Sequence, residues 1–427
     1  MIQELKVKNF LSFKNEVTIS FEATKDKKFE DYQVVEVAPN VRLLRLAIVY
    51  GANASGKSNL INAFEFLNRF WEKTPNNREV PTGVIPFLLD KHTPEEPSQF
   101  SLTFYIGATK YLYALELTNE KVISERLSIY PGSQPALIFD RSYSHGISEI
   151  NFNQNRAKIS QIANEEIAVK CLPNMSVFSA YKQVNVSLPE MEAVITWMKN
   201  QYLSAIQPGM ILRNFSEELL SKDKSVKEYI LDFLHKADFN IADINSEVVD
   251  KKVPAELLNM LVKDNDITIE ERERLKREKT LKRTQTTFVH KVTNSKGDEE
   301  YFSLPKNLQS EGTLRTFGLA GVINHIVKNE AFVPIDEIES SLHPKLIEFF
   351  IENFFKQKGQ SQLLLTTHYD GLLEEDDLLR NDSIWFTNKG DDGSTELYSL
   401  SDFKGLNRIS SLQKAYKYGK FGATPNI

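Results

Sequence analysis

Only one cysteine, Cys171, occurs in 427 residues, which excludes an intramolecular disulfide framework and suits a reducing compartment. No apolar run reaches the length of a membrane span. The first residues, Met1-Ile2-Gln3-Glu4-Leu5-Lys6-Val7-Lys8, alternate as a strand does and do not resemble a signal peptide. A cytoplasmic location with no membrane partner is therefore expected. Positive charge is also scarce: 52 Lys and Arg stand against 58 Asp and Glu, for a net charge of −6. A chain held to nucleic acid by general phosphate attraction is usually basic, so any such contact must come from a local patch. Internal repeats and long low-complexity tracts are missing too. What is present, 41% hydrophobic and 26% charged residues, is the composition of a soluble globular protein. Its length allows roughly two or three domains.

The stretch Gly51-Ala52-Asn53-Ala54-Ser55-Gly56-Lys57-Ser58 fits G-x-x-x-x-G-K-[ST]. An apolar run, Leu43 to Tyr50, precedes it as a buried strand would. Asn59 to Leu67 follows with apolar residues at helical spacing. Strand, glycine loop and helix in this order form a phosphate-binding P-loop, whose backbone N–H groups and helix N-terminus attract anionic oxygens. A nucleoside triphosphate is the expected ligand, held by Gly51, Asn53, Ala54, Ser55, Gly56, Lys57, Ser58 and Asn59. Lys57 would reach the β- and γ-phosphates, and the Ser58 hydroxyl would sit on Mg²⁺.

Around this unit, Ile2–Val7 and Val17–Phe21 read as two short strands, and Lys25–Glu30 as a charged loop. Residues 74–97, rich in Pro, Asn and charge, read as a loop. Gln99–Ile106 and Lys110–Leu117, split by Gly107-Ala108-Thr109, predict an antiparallel hairpin. Val122–Tyr130 and Leu137–Asp140 extend it into a meander beside the nucleotide-binding sheet. From Leu188 to Leu281 the pattern is mainly helical, clearest over Ser225–Phe239. Glu270–Arg283 is nearly all charge, the pattern of a solvated helix with i,i+4 pairs; its positive end, Lys279, Lys282 and Arg283, leaves a nucleic-acid contact open. Thr286–Val292 returns to strand. The chain thus divides into an N-terminal half of a nucleotide-binding core (1–187), a helical insertion (188–285) and a C-terminal half (286–427).

In the C-terminal half, Ala331–Ile335 is an apolar run that ends in Asp336 and Glu337. Acids at the C-terminal end of a buried strand lie at the ligand-binding edge of a parallel sheet. Asp336 would hold Mg²⁺ and Glu337 would polarise the attacking water. Upstream, Ser310 and Gly312 of Leu308–Arg315 open an apolar helix and could donate to phosphate, although an ordinary N-cap with a turn glycine reads the same way. Gln362–Thr367 is a further apolar strand, and His368 at its end could sense the γ-phosphate. Asp391-Asp392-Gly393 reads as the turn of a hairpin between Ile384–Phe386 and Thr395–Tyr398.

Together "VKNFLSF", "GANASGKSN", "LQSEGTLR", "VPIDEIESSLHP" and "LLLTTH" resemble the ABC-type ATPases of the SMC/RecF group. More narrowly, they resemble the compact AAA-type ATP-binding proteins of bacterial defence loci, including the RloA/AbiL-type and OLD-like ATPases. The resemblance implies an α/β P-loop NTPase with an ABC-type head, a mixed sheet plus antiparallel β meander, and an inserted helical subdomain. It also implies ATP and Mg²⁺ as cofactors and Lys57, Glu337 and His368 as the catalytic residues. Ser58 and Asp336 would be the metal ligands. The expected assembly is a homodimer in which these residues of one subunit face Ser310 and Gly312 of the other across two ATPs.

There are departures from the pattern. Leu11 stands where many relatives carry a basic residue, with Lys14 nearby; Gln99 is the Q-loop candidate; the signature reads Ser-Glu-Gly-Thr; and the insertion is too short for a long coiled coil. Too little chain follows His368 for a fused Toprim nuclease, so a separate effector, a nuclease by the same resemblance, is expected as partner. The expected function is an ATP-hydrolysing regulatory subunit of an anti-phage system. The alternative is a RecF-like repair ATPase that binds DNA; an ABC transporter motor fits the N-terminal strand motif and the insertion less well.

Overall fold

The computed structural model describes the backbone of residues 1–144, 146–156, 158–237, 239–254, 258, 260, 269–375 and 377–424. Side chains at 248, 251, 269–271 and 281–283 lie outside the described set, and with them those of Lys282 and Arg283. The chain forms two compact units. One comprises Met1–Met210, His325–Ser340 and Ile347–Ile427; the other comprises Ile211–Asn324 and Ser341–Leu346.

The first unit opens with β1 (Ile2–Lys8) and β2 (Val17–Ser20), then a small hairpin of β3 (Val34–Ala38) and β4 (Val41–Leu44). The P-loop strand β5 (Leu46–Gly51) follows. Five strands come next: β6 (Ser98–Ile106), β7 (Thr109–Leu117), β8 (Val122–Tyr130), β9 (Ala136–Ser144) and β10 (Ile147–Phe152). Seven of these build an antiparallel sheet in the order β10-β9-β8-β7-β6-β1-β2, the expected meander joined to the N-terminal strands. Strands that alternate polar and apolar residues can keep one face in water, and β7 alternates in burial along its length.

In the second unit, residues 213–236 are helical as expected, in two helices, Arg213–Lys222 and Lys224–Lys236. Ile269–Glu278 is another helix, but much of the rest departs from the helical reading. β11 (Ile241–Lys252), β12 (Thr280–Thr293) and β13 (Glu299–Pro305) form a three-stranded antiparallel sheet. The inserted subdomain is therefore mixed. Pairing with β12 along its whole length, a contact between distant segments, makes a strand of 241–252. The charged run 270–283 also divides: a helix ends at Glu278, Lys279 takes a left-handed φ of 50°, and β12 begins at Thr280.

The chain returns to the first unit with β14 (Phe332–Ile335), β15 (Gln362–Thr367), β16 (Ile384–Lys389) and β17 (Thr395–Ser399). Their sheet has the order β14-β15-β5-β16-β17; all neighbours are parallel except β16 and β17. β5 is buried along its whole length, as a central parallel strand covered on both faces must be. The P-loop helix, Lys57–Glu72, packs between the two sheets. Phe66 stacks on Phe100 of β6 at 4.9 Å, and Phe64 meets Phe332 of β14 at 5.0 Å. A mixed core sheet that carries the P-loop, beside an antiparallel meander, is the architecture expected from the sequence. Among the described residues no helix is long and apolar enough to cross a membrane.

Candidate nucleotide site

At the C-terminal end of β5 the chain turns through residues 52–56 into the P-loop helix. Two positions of this turn require glycine. A Cβ on Gly51 would lie 2.3 Å from Thr387 Oγ1, and one on Gly56 would lie 2.2 Å from Thr395 Oγ1. Gly56 also has φ 108°, which L side chains rarely adopt. Ala54 takes a left-handed φ of 60°, and Asn53 and Ala54 are exposed at the tip. Ser58 and Asn59, half-buried, start the helix.

Lys57 is 5% exposed, and its Nζ donates to the carbonyls of Gly51 (2.8 Å) and Ala52 (3.1 Å). Burial pushes its amine down to about 8, against the opposing pull of Asp336, Glu339 and Glu337. A desolvated ammonium in a loop of this shape is short of negative charge, and a phosphate supplies it. His368 Nδ1 lies 3.5 Å from that Nζ. Burial, and then the charge of Lys57, hold the imidazole below its usual range, so it is neutral at pH 7.

β14 and β15 run parallel with Ile335 opposite Leu365, which sets the first acid beside Thr366. Asp336 is 2% exposed, and its Oδ1 accepts from Thr366 Oγ1 at 2.5 Å. The same hydroxyl accepts from the Glu337 N–H at 2.8 Å. Glu337 itself is half-buried, with a left-handed φ of 46°. Lys57, Asp336, Glu337 and His368 thus gather at one edge of the core sheet.

A hydroxyl from Ser58 and a carboxylate from Asp336 are hard oxygen donors of the kind Mg²⁺ takes. Among the described residues no group of three or more His, Cys, Asp or Glu could hold a metal ion. Mg²⁺ commonly keeps only one or two protein carboxylates and shares the substrate's phosphates.

Ser310 and Gly312 belong to the second unit. The Ser310 hydroxyl accepts from the Thr313 N–H (3.1 Å) and so caps the helix Glu311–Asn329; a Cβ on Gly312 would meet the Ser341 carbonyl at 3.3 Å. Gln99, the Q-loop candidate, lies in β6 and donates to Glu116 within the meander (3.2 Å). Lys14 pairs with Asp90 (2.9 Å) and with Asp392 (3.6 Å) of the β16–β17 turn. That turn is the expected hairpin, closed by the Gly390 N–H on the Ser394 carbonyl.

Several site residues were not legible in the sequence. Glu339 Oε1 accepts from the His368 N–H at 2.5 Å, and its Oε2 is buried with no partner among the described residues. The signal available was its place in Asp336-Glu337-Ile338-Glu339. Thr366 is another, and a third group braces the loop itself. Thr395 Oγ1 is 2.7 Å from Ser12 Oγ and 2.8 Å from the Ser55 carbonyl. Ser12 Oγ accepts from Asn59 Nδ2 (2.7 Å), and Ser55 Oγ shares a hydrogen bond with Thr387 Oγ1 (2.6 Å).

Comparison with known proteins adds a family to this geometry. No curated protein sequence matches the chain. Among solved structures, an SMC head domain from Thermotoga maritima has 13% identity and a TM-score of 0.40, over 93% of this chain and 98% of that one. An SMC head bound to the C-terminal winged-helix domain of ScpA has 14% identity and a TM-score of 0.42, covering 97% and 99%. An SMC head with an extended coiled coil bound to the C-terminal domain of ScpA, derived from Pyrococcus furiosus, has 15% identity and a TM-score of 0.42, covering 98% of each chain. The sequence profile described as "AAA domain, putative AbiEii toxin, Type IV TA system" matches residues 46–170 and 181–374. That match runs through the P-loop, the Asp336–Glu337 pair and His368 and takes in more than half of the chain, so the protein belongs to this family of AAA-domain ATPases.

Proposed function

We propose that the protein is an ATP-binding and ATP-hydrolysing regulatory subunit of a bacterial anti-phage defence system, dimerising around ATP and controlling a separate effector. The observation that carries the reading is the gathering of Lys57, the Asp336–Glu337 pair and His368 at one edge of the core sheet. A family description that names a type IV toxin–antitoxin system supports the defence setting.

In this reading the P-loop N–H groups and Lys57 bind and orient the triphosphate, and Ser58 and Asp336 hold Mg²⁺. The metal ion, when bound, neutralises charge on the phosphates. Thr366 fixes the Asp336 carboxylate and, through the Glu337 N–H, the start of the next turn. Glu337 orients the attacking water and takes its proton. His368, neutral at pH 7, offers a hydrogen bond to the terminal phosphate. Ser310 and Gly312 would complete the site of a second subunit, so that closure depends on nucleotide and release follows hydrolysis.

The test is nucleotide turnover with oligomeric state. Glu337→Gln should bind ATP, hydrolyse it at under about one-hundredth of the parent rate, and accumulate as a dimer. Lys57→Ala should lose ATP binding. Hydrolysis by Glu337→Gln at the parent rate would remove the role given to that residue. Co-purification with a neighbouring gene product in fixed stoichiometry would support the effector. Salt-dependent DNA affinity that falls on reversing Lys279, Lys282 and Arg283 would favour a RecF-like repair ATPase instead.

A further inference from the structure

A cavity of about 920 Å³ opens at the opposite ends of the strands that carry the nucleotide site. Arg45 lies just before β5, Glu330 before β14, Gln360 before β15 and Leu378 before β16, and all four line it. Its lining holds more carboxylates than cations: Asp31, Glu36, Glu330, Glu348 and Glu352 are among the former, while Arg45, Lys356 and Lys358 are the latter. Lys356 already pairs with Glu352 at 3.3 Å. Tyr32 and Phe355 add an aromatic wall, their rings edge to face at 5.8 Å.

Arg45 makes this more than an acidic patch. It is 2% exposed and stacks its guanidinium 4.6 Å over Phe354. Nη1 donates to the carbonyls of Tyr32 (3.1 Å) and Gln357 (2.7 Å), but Nε and Nη2, both buried, have no hydrogen-bond partner among the described residues. Burial pushes the guanidinium down to about 10. A buried cation with unmet N–H groups calls for acceptors, whereas the walls around it call for positive charge.

We propose that this cavity docks a lysine- or arginine-bearing peptide segment of a partner protein. Main-chain carbonyls of the segment meet Arg45, and its basic side chains meet the carboxylates, with their aliphatic stems along Tyr32 and Phe355. The size favours a peptide over a free amino acid: cavities at the upper end of the range of about 300–1,000 Å³ take drug-sized ligands, and one residue would leave this one mostly empty. Because the same strands join the cavity to the nucleotide edge, the docked segment sits where the ATPase sheet begins, remote from the P-loop.

The experiment is fluorescence anisotropy with nucleotide-free full-length protein and a fluorescein-labelled Gly-Lys-Arg-Lys-Arg-Gly peptide, at about 0.15 M salt to suppress long-range attraction. Saturable binding is expected, weakened about tenfold by the double variant Asp31→Lys/Glu352→Lys. The equal-charge control Glu120→Lys/Glu149→Lys, on exposed positions outside the cavity, should change it less than about twofold. Arg45→Met should also weaken it; because that variant removes a buried group, the exposed Asp31/Glu352 pair carries the decision if it fails to fold. No saturable binding, unchanged affinity in the cavity variant, or equal loss in the control would overturn the proposal. The assay uses no nucleotide, so its outcome is independent of the ATPase reading.

Discussion

Thr366 donates its hydroxyl hydrogen to Asp336 Oδ1 across 2.5 Å and accepts from the next residue's N–H, so one side chain on β15 anchors both acids at the end of β14. The arrangement resembles a metal ligand and its outer hydrogen-bond partner, in which the outer group sets the direction of the carboxylate. Thr366→Val keeps the shape and removes the hydroxyl. ATP turnover should fall by about 10–100-fold, while ATP affinity without Mg²⁺ stays within a few-fold. Thr366→Ser should recover most of the loss, because it restores the donor. Unaltered turnover in the valine variant would show that Asp336 does not depend on this bond.

The loop at Gly51–Ser58 is held from outside by residues far away in sequence. Thr395 bonds the Ser55 carbonyl and contacts Ser12, which in turn accepts from Asn59. Thr395→Val should weaken ATP binding by about tenfold, the equivalent of about 1.4 kcal/mol, and Thr395→Ser should not. Gly56→Ala should be more severe, because its Cβ would meet Thr395 Oγ1 at 2.2 Å from a left-handed backbone. Isothermal titration with ATP separates these outcomes. Equal affinity in the valine and serine variants would leave the brace with no role in binding.

How far this site could be read in advance depends on whether its parts are local. The P-loop lies in one continuous strand–loop–helix, and Asp336 and His368 each end an apolar strand, so period and composition locate them. Thr366, Thr387, Thr395 and Ser12 carry no such mark; the threonines join the site only when β15, β16 and β17 assemble in the sheet of β5, and Ser12 only through the connection between β1 and β2. Glu339 was hidden for another reason: its neighbours Asp336 and Glu337 already account for the acidic cluster. The strand 241–252 is not legible because its pairing with β12 is non-local, and local propensity is a weak guide to strands formed by partners far along the chain.

Cys171 should be inert in the folded protein. Its thiol is buried, and burial pushes it up from its usual range near 9 to about 12, opposed only in part by Arg141. At a given alkaline pH that corresponds to about a thousandfold less thiolate, the form that attacks disulfide reagents. A thiol-reactive chromophore at pH 8 should therefore report almost no reaction until denaturant is added, and then one equivalent. The sign for stability follows: the unfolded thiol ionises first, so this group erodes folding stability as pH rises from about 9 to 12. Rapid labelling of the native protein would mean that the segment around Cys171 opens far more often than its packing allows.

The meander contains a fully buried ion pair, Glu125 with Arg141 at 3.2 Å, both side chains at 0% exposure. Glu125 also accepts from the Tyr113 hydroxyl (2.9 Å), the Ser176 hydroxyl (2.7 Å) and the Val177 N–H (2.9 Å). Arg141 donates to the carbonyls of Met175 (2.5 Å) and Leu172 (2.9 Å), tying β9 to the segment that follows the meander. Such a pair adds little net stability over apolar residues of the same volume, but removing one partner strands a charge in the interior. Glu125→Leu should therefore destabilise the first unit by about 3–5 kcal/mol. The double variant Glu125→Leu/Arg141→Met should recover a substantial part of that loss, because no charge is left unpaired. Urea denaturation followed by tryptophan fluorescence reads both, since Trp71 lies against Tyr113, 5.6 Å between ring centres. If the double variant is less stable than the single by the full cost of a second lesion, the two residues do not act as a pair and the carbonyl contacts of Arg141 dominate.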